Sequence, residues 1–376
     1  MEKLIYLDHA ATTPVDKTVL EKMLPYFYLS YGNPSSMYTI GRKNKRAIEE
    51  AREIVAREIN VSQKEIYFTS CGSESDNLAL KGIAYANKNK GTHIITSKIE
   101  HPAILNTCET LKRQGFDITY LNVDSKGFVR LDELENTIRE DTILISIMFA
   151  NNEIGTIQPI SQIAKIAQKN NILFHTDAVQ AVGNIEIYVK EQGIDLLSMS
   201  AHKFYGPKGV GALYVRNGIN FERIQDGGHQ EKGKRSGTEN VAGIVGLAEA
   251  LRLANKDMVK NNQKIIDNRN YLIKKMKEKM QGIQINGDIE NRLPGNISIT
   301  FPEYDGQELL FKLDEYGICA SAGSACSTGE SSPSHVLTAI GLTPDKAFRT
   351  LRFSLGKENT KQEIDYVINI LKKIVI

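Results

Sequence analysis

The chain reads as an α/β protein: a large domain with a mostly parallel sheet flanked by helices, then a smaller α+β C-terminal domain. Three observations predict this. Short apolar runs with little polar alternation recur between residues 65 and 198, as expected of strands buried on both faces of a parallel sheet. Helical stretches lie between them, supplying the crossovers that parallel strands require. After Gly237 the rhythm changes to a long helical region followed by isolated strand-like segments. At 376 residues the chain exceeds the ~250–300 over which one core usually grows. The expected division is 15–255 for the large domain, with 1–14 and 256–376 forming the small one.

Each element has its own signal. Residues 42–59 carry apolar side chains at spacings of three and four, predicting an amphipathic helix. Residues 65–69, 93–96, 118–121, 142–149, 171–174 and 194–198 predict strands. Residues 241–280 carry no strand signal and predict continuous helix. Thereafter 296–300 predicts a strand, 306–316 a helix, 350–355 a strand and 361 onward a closing helix. The Gly/Ser/Thr-rich stretch 321–332 predicts a mobile loop.

Composition narrows the function classes. The 47 basic and 45 acidic residues nearly balance, so neither nucleic acid nor an anionic membrane is a default partner. The first eight residues lack the apolar core of a signal peptide, and no run approaches the ~18 apolar residues of a membrane span. Four cysteines (Cys71, Cys108, Cys319, Cys326) are too scattered for a disulfide scaffold, and no Cys-x-x-Cys pair points to a metal. A reducing, cytoplasmic setting is expected.

Two strand ends carry the leading chemical signal. Lys203, in Ser198-Met-Ser-Ala-His-Lys203, follows one apolar run, and Asp177, in Phe174-His-Thr-Asp177, ends another. A lysine there can bond covalently to an aldehyde cofactor. Pyridoxal phosphate needs that lysine on its aldehyde carbon and an acid against its pyridine nitrogen. Alone, Lys203 reads sooner as a solvated loop residue; the pair is what matters.

Other residues fit the same cofactor. Tyr67-Phe-Thr-Ser-Cys-Gly72-Ser73 is a strand, a turn of small residues and a helix start. There Gly72 permits close approach and Ser73 adds a hydroxyl to a helix N-terminus that favours anions. The plainer alternative is a helix capped by serine. Ser200 and His202 flank Lys203 and are placed to close a phosphate cup. His101 follows a strand and precedes Pro102, a position from which it can stack on a ring and shuttle protons. Asn152 follows another strand and suits a substrate or ring oxygen, while Gln180 suits the ring's phenolic oxygen.

Residues 350–355 alternate apolar and polar, so Arg352 lies on the polar face, where its fork suits a substrate carboxylate. The alternative is a surface ion pair. Cys326 sits among tiny and polar neighbours in Ala320-Ser-Ala-Gly-Ser-Ala-Cys326, which predicts an accessible nucleophilic thiol rather than a packed one.

These segments together closely resemble the group I NifS/IscS cysteine desulfurases, of the class-V aminotransferase family within the fold-type I pyridoxal-phosphate enzymes. The resemblance runs nearly end to end. It is carried by Leu7-Asp-His-Ala-Ala-Thr-Thr13, Gly32-Asn-Pro-Ser-Ser36, Glu100-His-Pro102, Asn151-Asn-Glu-Ile-Gly155, His175-Thr-Asp-Ala-Val-Gln180, Ser198 to Lys203, Arg235-Ser-Gly-Thr238 and Gly323-Ser-Ala-Cys326. It implies a homodimer that takes sulfur from L-cysteine, releases L-alanine and passes a Cys326 persulfide to acceptor proteins of iron–sulfur assembly or tRNA thiolation.

The resemblance also implies roles for individual residues. Lys203 holds pyridoxal phosphate, with Asp177 on the pyridinium, Gln180 on the ring oxygen and His101 stacked as acid–base catalyst. Gly72, Ser73, Ser200 and His202 bind phosphate, joined by Thr238 of the other subunit. Asn152 and Arg352 hold substrate, with Asn33 helping at the carboxylate. No resident metal is implied, although Cys326 is placed to touch an iron–sulfur cluster transiently. Cys71 and Ser73 stand where many relatives have glycine and threonine; serine keeps the hydroxyl. Two other readings compete: a different pyridoxal-phosphate enzyme, such as an aminotransferase or selenocysteine lyase, and a regulatory protein that keeps the fold without turnover. The Cys326 loop opposes an aminotransferase, and the intact Lys203, Asp177, His101 and Cys326 oppose the regulatory protein.

Overall fold

The computed structural model describes residues 4–322 and 332–375. Its strands in chain order are β1 (Ile5–Tyr6), β2 (Ile66–Thr69), β3 (His93–Ser97), β4 (Asp117–Leu121), β5 (Thr142–Ser146) and β6 (Leu173–Asp177). They continue with β7 (Leu196–Ser200), β8 (Gly211–Val215), β9 (Gln284–Asn286), β10 (Asn296–Thr300), β11 (Ile318–Cys319) and β12 (Thr350–Ser354). Seven of them form one sheet in the order β2-β8-β7-β6-β5-β3-β4. β8 runs antiparallel to both neighbours and the other pairs are parallel. The carboxyl ends of β2, β3, β5, β6 and β7 therefore face one side. In an open α/β sheet that is the side where ligands bind.

The sheet is buried on both faces, which explains its unbroken apolar runs. Every residue of β3, β5, β7 and β8 is buried. One hydrophobic cluster joins Phe68, Ile95, Ile145, Phe174, Leu197 and Ala212 to Val55 and Leu247. Val55 belongs to helix Thr39–Glu58, which buries Ala47, Ile48, Ala51, Val55 and Ala56 at the spacing of one helical face. A cluster on the opposite face joins Leu80 and Ile83 to Ile94, Leu144, Leu196 and Leu213.

A separate cluster combines Ile5 and Leu7 with residues from Ile265 to Leu371 around the antiparallel sheet β12-β10-β9. β1 pairs in parallel with β11, so the N-terminal segment packs with the C-terminal part of the chain. Among the described residues, no helix is long and apolar enough to cross a membrane.

Several boundaries differ from expectation. The strand expected over 142–149 ends at Ser146, although Ile147, Met148 and Phe149 stay buried. The strand expected from 171 starts at Leu173, because Asn171 takes a left-handed φ of 56° at the end of the preceding helix. The helix expected over 241–280 divides at Asp257 into Val241–Lys256 and Met258–Lys279. β8, β9 and β11 had no expected counterpart. The loop expected over 321–332 lies for the most part outside the described residues.

Candidate active site

At the carboxyl edge of the large sheet lies a cavity of about 230 Å³. Ten of the expected residues line it: Gly72, Ser73, His101, Asn152, Asp177, Gln180, Ser200, His202, Lys203 and Arg352. All but Arg352, which sits in the middle of β12, follow or end a strand. Asp177 closes β6, Ser200 closes β7, and Lys203 ends the short turn after it. A second cavity of about 250 Å³ adjoins this one through Ala10, Gln180 and Lys203. It lacks Asp177, His101 and Ser200, so the smaller cavity is the chemical one.

Lys203 Nζ donates to the carbonyls of Ala10 at 2.6 Å and Ala11 at 2.8 Å. Gln180 Nε2 donates to the same Ala10 carbonyl at 3.0 Å. The segment around residues 8–13 is thus a strap across the lysine, fixed further by Thr13, whose N–H and hydroxyl both donate to the His202 carbonyl at 2.9 Å. His202 Nδ1 lies 3.1 Å from Thr12 Oγ1. Burial, with the charges of Lys203 and Lys208, pushes His202 down to about 4, so it is neutral at physiological pH.

Asp177 is buried and its Oδ1 accepts the Val179 N–H at 2.9 Å. Burial raises its pKa, while His101, the Val179 N–H and Lys203 oppose that rise. His101 caps helix Pro102–Arg113: its Nδ1 accepts the Ala103 N–H at 3.1 Å. A ring nitrogen that accepts carries no proton, so the neutral ring holds its hydrogen on Nε2. Burial lowers the His101 pKa; Asp177 pulls it up, and Lys203 and His335 press it down.

The anion-binding geometry is local. Cys71 occupies the N-cap of helix Gly72–Asn87 and makes no side-chain capping bond, which leaves the N–H groups of the first turn without that partner. Serine is therefore not the cap here; Ser73 is the second helical residue. A Cβ on Gly72 would stand 2.6 Å from Val179 Cγ2 and 3.4 Å from Ser200 Cβ, so only glycine fits the turn. Ser200 Oγ, next to it, is buried without a hydrogen-bond partner among the described residues.

Arg352 keeps the alternation expected of β12, but both faces of that strand are buried and the residue is 2% exposed. It is not a surface ion pair. Nη2 donates to Asp8 Oδ1 at 2.8 Å and Nη1 to the Asn152 carbonyl at 3.2 Å. Its backbone pairs with Ser321.

Three expected residues stand apart. Asn33 is exposed, caps its own turn by accepting the Ser35 N–H at 2.9 Å, and does not line the cavity of its own chain. Thr238 lines a different hollow with Phe68, Arg235 and Glu239. Its loop is tied down by Glu231, which takes two bonds from Arg52 at 2.7 and 2.8 Å. Glu231 and Lys232 both have positive φ, 44° and 58°. Cys326 lies outside the described residues.

Sequence reading gave no role to Asp8, Asp76 or Glu100. Asp76 interrupts the apolar face of a helix, a usable signal. Glu100 is buried beneath the site, bonded to Ser97 Oγ at 2.6 Å and to the Met148 N–H at 3.0 Å, and burial raises its pKa to about 8.

A model of the family described as aminotransferase class-V matches residues 5–367. The chain belongs to that family. Cysteine desulfurase IscS of Clostridium botulinum is 52% identical over 377 residues, covering 100% of this chain and 95% of that protein. A solved NifS-like protein superposes with a TM-score of 0.93 at 41% identity, over 99% of both chains. A solved SspA in complex with cysteine gives 0.83 at 40% identity, covering 95% of this chain and 100% of that one.

Members of the family depend on pyridoxal phosphate, and the cavity fits it. The unpartnered Ser200 hydroxyl and the uncapped helix N-terminus suit a phosphate group. An amine and a buried carboxylate share the same cavity, as the aldehyde carbon and ring nitrogen require.

Proposed function

We propose that the chain is a pyridoxal-phosphate-dependent cysteine desulfurase that converts L-cysteine to L-alanine and keeps the sulfur as a Cys326 persulfide. The carrying observation is the convergence of Lys203, Asp177, His101, Ser200 and Gly72 on one cavity, with Arg352 at its wall. Relatives named cysteine desulfurase at about half identity over the whole chain support the same reading.

In this reading Lys203 anchors the cofactor's aldehyde carbon, Asp177 faces its ring nitrogen and Gln180 its ring oxygen. Gly72, Ser73, Ser200 and His202 bind the phosphate, with Thr238 supplied by the second subunit of a homodimer. The cofactor, when bound, supplies an electron sink for bonds broken at the substrate's α-carbon. Arg352 and Asn152 orient the substrate, Arg352 through its carboxylate, with Asn33 assisting. His101 holds its proton on Nε2, ready for exchange with the reacting substrate. Cys326, as thiolate, attacks the substrate sulfur; the new S–S bond forms as the C–S bond breaks, the C–S electron pair stays with the carbon, and that carbon takes up the proton the thiol gave up, so the three-carbon fragment leaves as alanine.

Residues 15–255 make the cofactor domain; 1–14 and 256–376 make the smaller one. The persulfide then passes to a sulfur acceptor of iron–sulfur assembly or tRNA thiolation in the cytoplasm. Cys326→Ala tests the assignment. It retains bound cofactor and loses desulfuration, whereas an enzyme acting only at the amino acid carbon keeps its turnover.

A further inference from the structure

Asp76 lies one turn into helix Gly72–Asn87, among buried residues that include Ser75, Leu78, Ala79, Leu80 and Ile83. It lines the same cavity as Asp177, is 1% exposed, and its Oδ1 has no hydrogen-bond partner among the described residues. The nearest group able to carry positive charge is His175, with Nε2 3.8 Å away. That imidazole is already engaged, Nδ1 with Ser146 Oγ at 2.9 Å and Nε2 with Ser198 Oγ at 3.0 Å. Burial pushes it down to about 3, so it offers no charge.

The other titratable groups facing Asp76 are Asp177 on β6, Glu100 after β3 and Cys71 in the helix-entry turn; each disfavours its ionisation, and only the Ser198 hydroxyl opposes them. Asp177 is better supplied, with the Val179 N–H on its oxygen and His101 and Lys203 across the cavity. Two buried carboxyls on one wall do not both ionise, and the anion settles where the donors are.

We propose that Asp76 is a positioning residue of the cofactor site, a neutral hydrogen-bonding acid that leaves Asp177 as the single anion against the ring nitrogen. This rests on the pyridoxal-phosphate reading of the cavity. Holoenzyme prepared as wild type, Asp76→Asn and Asp76→Leu tests it by three readouts. The infrared difference between wild type and Asp76→Asn at pH 8 shows the carbonyl band of a protonated carboxyl; its absence overturns the proposal. The pH midpoint of the bound cofactor's visible absorbance stays within about 0.3 unit in Asp76→Asn, because no charge is removed. A shift of about one unit or more would mean that Asp76 is an anion. Asp76→Leu, which cannot hydrogen-bond, loses cofactor on dialysis about 10-fold faster while Asp76→Asn retains it; equal retention in Asp76→Leu overturns the positioning role. Should Asp76→Leu not fold, both Asp76→Asn readouts stand. If no variant and no wild type takes up cofactor, the cofactor reading itself fails, and the infrared band still decides the state of Asp76.

Discussion

Arg352 Nη2 lies 2.8 Å from Asp8 Oδ1, so the guanidinium assigned to the substrate carboxylate is gripped by a carboxylate of the N-terminal strap. Asp8 does not line the cavity, whereas Arg352 does. The ion pair therefore supports the arginine from behind. With Arg352 2% exposed, its orientation among the described residues rests on that ion pair and on the Asn152 carbonyl.

Asp8→Asn keeps the shape and removes the charge. A charge-assisted bond of this kind is worth roughly 1.5–3 kcal/mol. KM for L-cysteine is expected to rise about 10-fold with kcat within about twofold, since the lost interaction serves binding rather than the reacting atoms. Steady-state kinetics on cofactor-loaded protein checks this. An equal fall in kcat with unchanged KM would place Asp8 in the chemistry instead.

His101 serves two functions that substitution can separate. Asn is a good N-cap and accepts the Ala103 N–H as His101 does. His101→Ala is expected to lose about 1 kcal/mol of stability and about 10²–10⁴-fold in turnover. His101→Asn restores the stability and not the turnover. Urea midpoints measured beside kcat make the comparison.

Glu100 sets a slope on the stability curve. Burial raises it from an ordinary 4.5 to about 8 in the folded chain. Between those values the unfolded chain gives up a proton that the folded chain keeps. The contribution of Glu100 is thus fully present below about pH 4.5 and is lost as pH rises towards 8. Glu100→Gln removes the slope, so relative to wild type it gains on the order of 2–4 kcal/mol between pH 5 and 8. Denaturant titrations at the two pH values measure that difference.

Gly72→Ala tests the phosphate turn. The added Cβ meets Val179 Cγ2 at 2.6 Å, and valine is stiff about its own Cβ. A stability loss of about 1–3 kcal/mol is expected from overpacking. Cofactor affinity should fall at least about 10-fold as the helix N-terminus shifts away from the phosphate. Absorbance titration of the apoprotein with pyridoxal phosphate gives the second number.

Most of the strands and most of the cavity residues were legible because one physical rule governs both. A parallel strand buried on both faces is an apolar run, and the polar residue ending it lands at the ligand edge. Lys203, Asp177, His101, Asn152 and Gly72 were all found that way. β8 is a buried apolar run too but ends on no polar residue that would mark it, and β9 and β11 were missed because two or three residues carry no period. Asp8 and Glu100 act through contacts 344 and 48 residues distant in the chain, which no local pattern encodes. Arg352 was placed on the polar face with a surface ion pair left as the alternative, since alternation tells sides apart without saying which side is wet. Asn33 and Thr238 stand away from the cavity of their own chain, and the homodimer reading has the second subunit supply Thr238.

The most direct test of the central claim is alanine formation from L-cysteine by purified, cofactor-loaded protein, measured with and without a reducing thiol. Catalytic alanine that rises with the thiol is the predicted result, because a persulfide on Cys326 must be discharged before the next turnover. No alanine under either condition would contradict the desulfurase assignment.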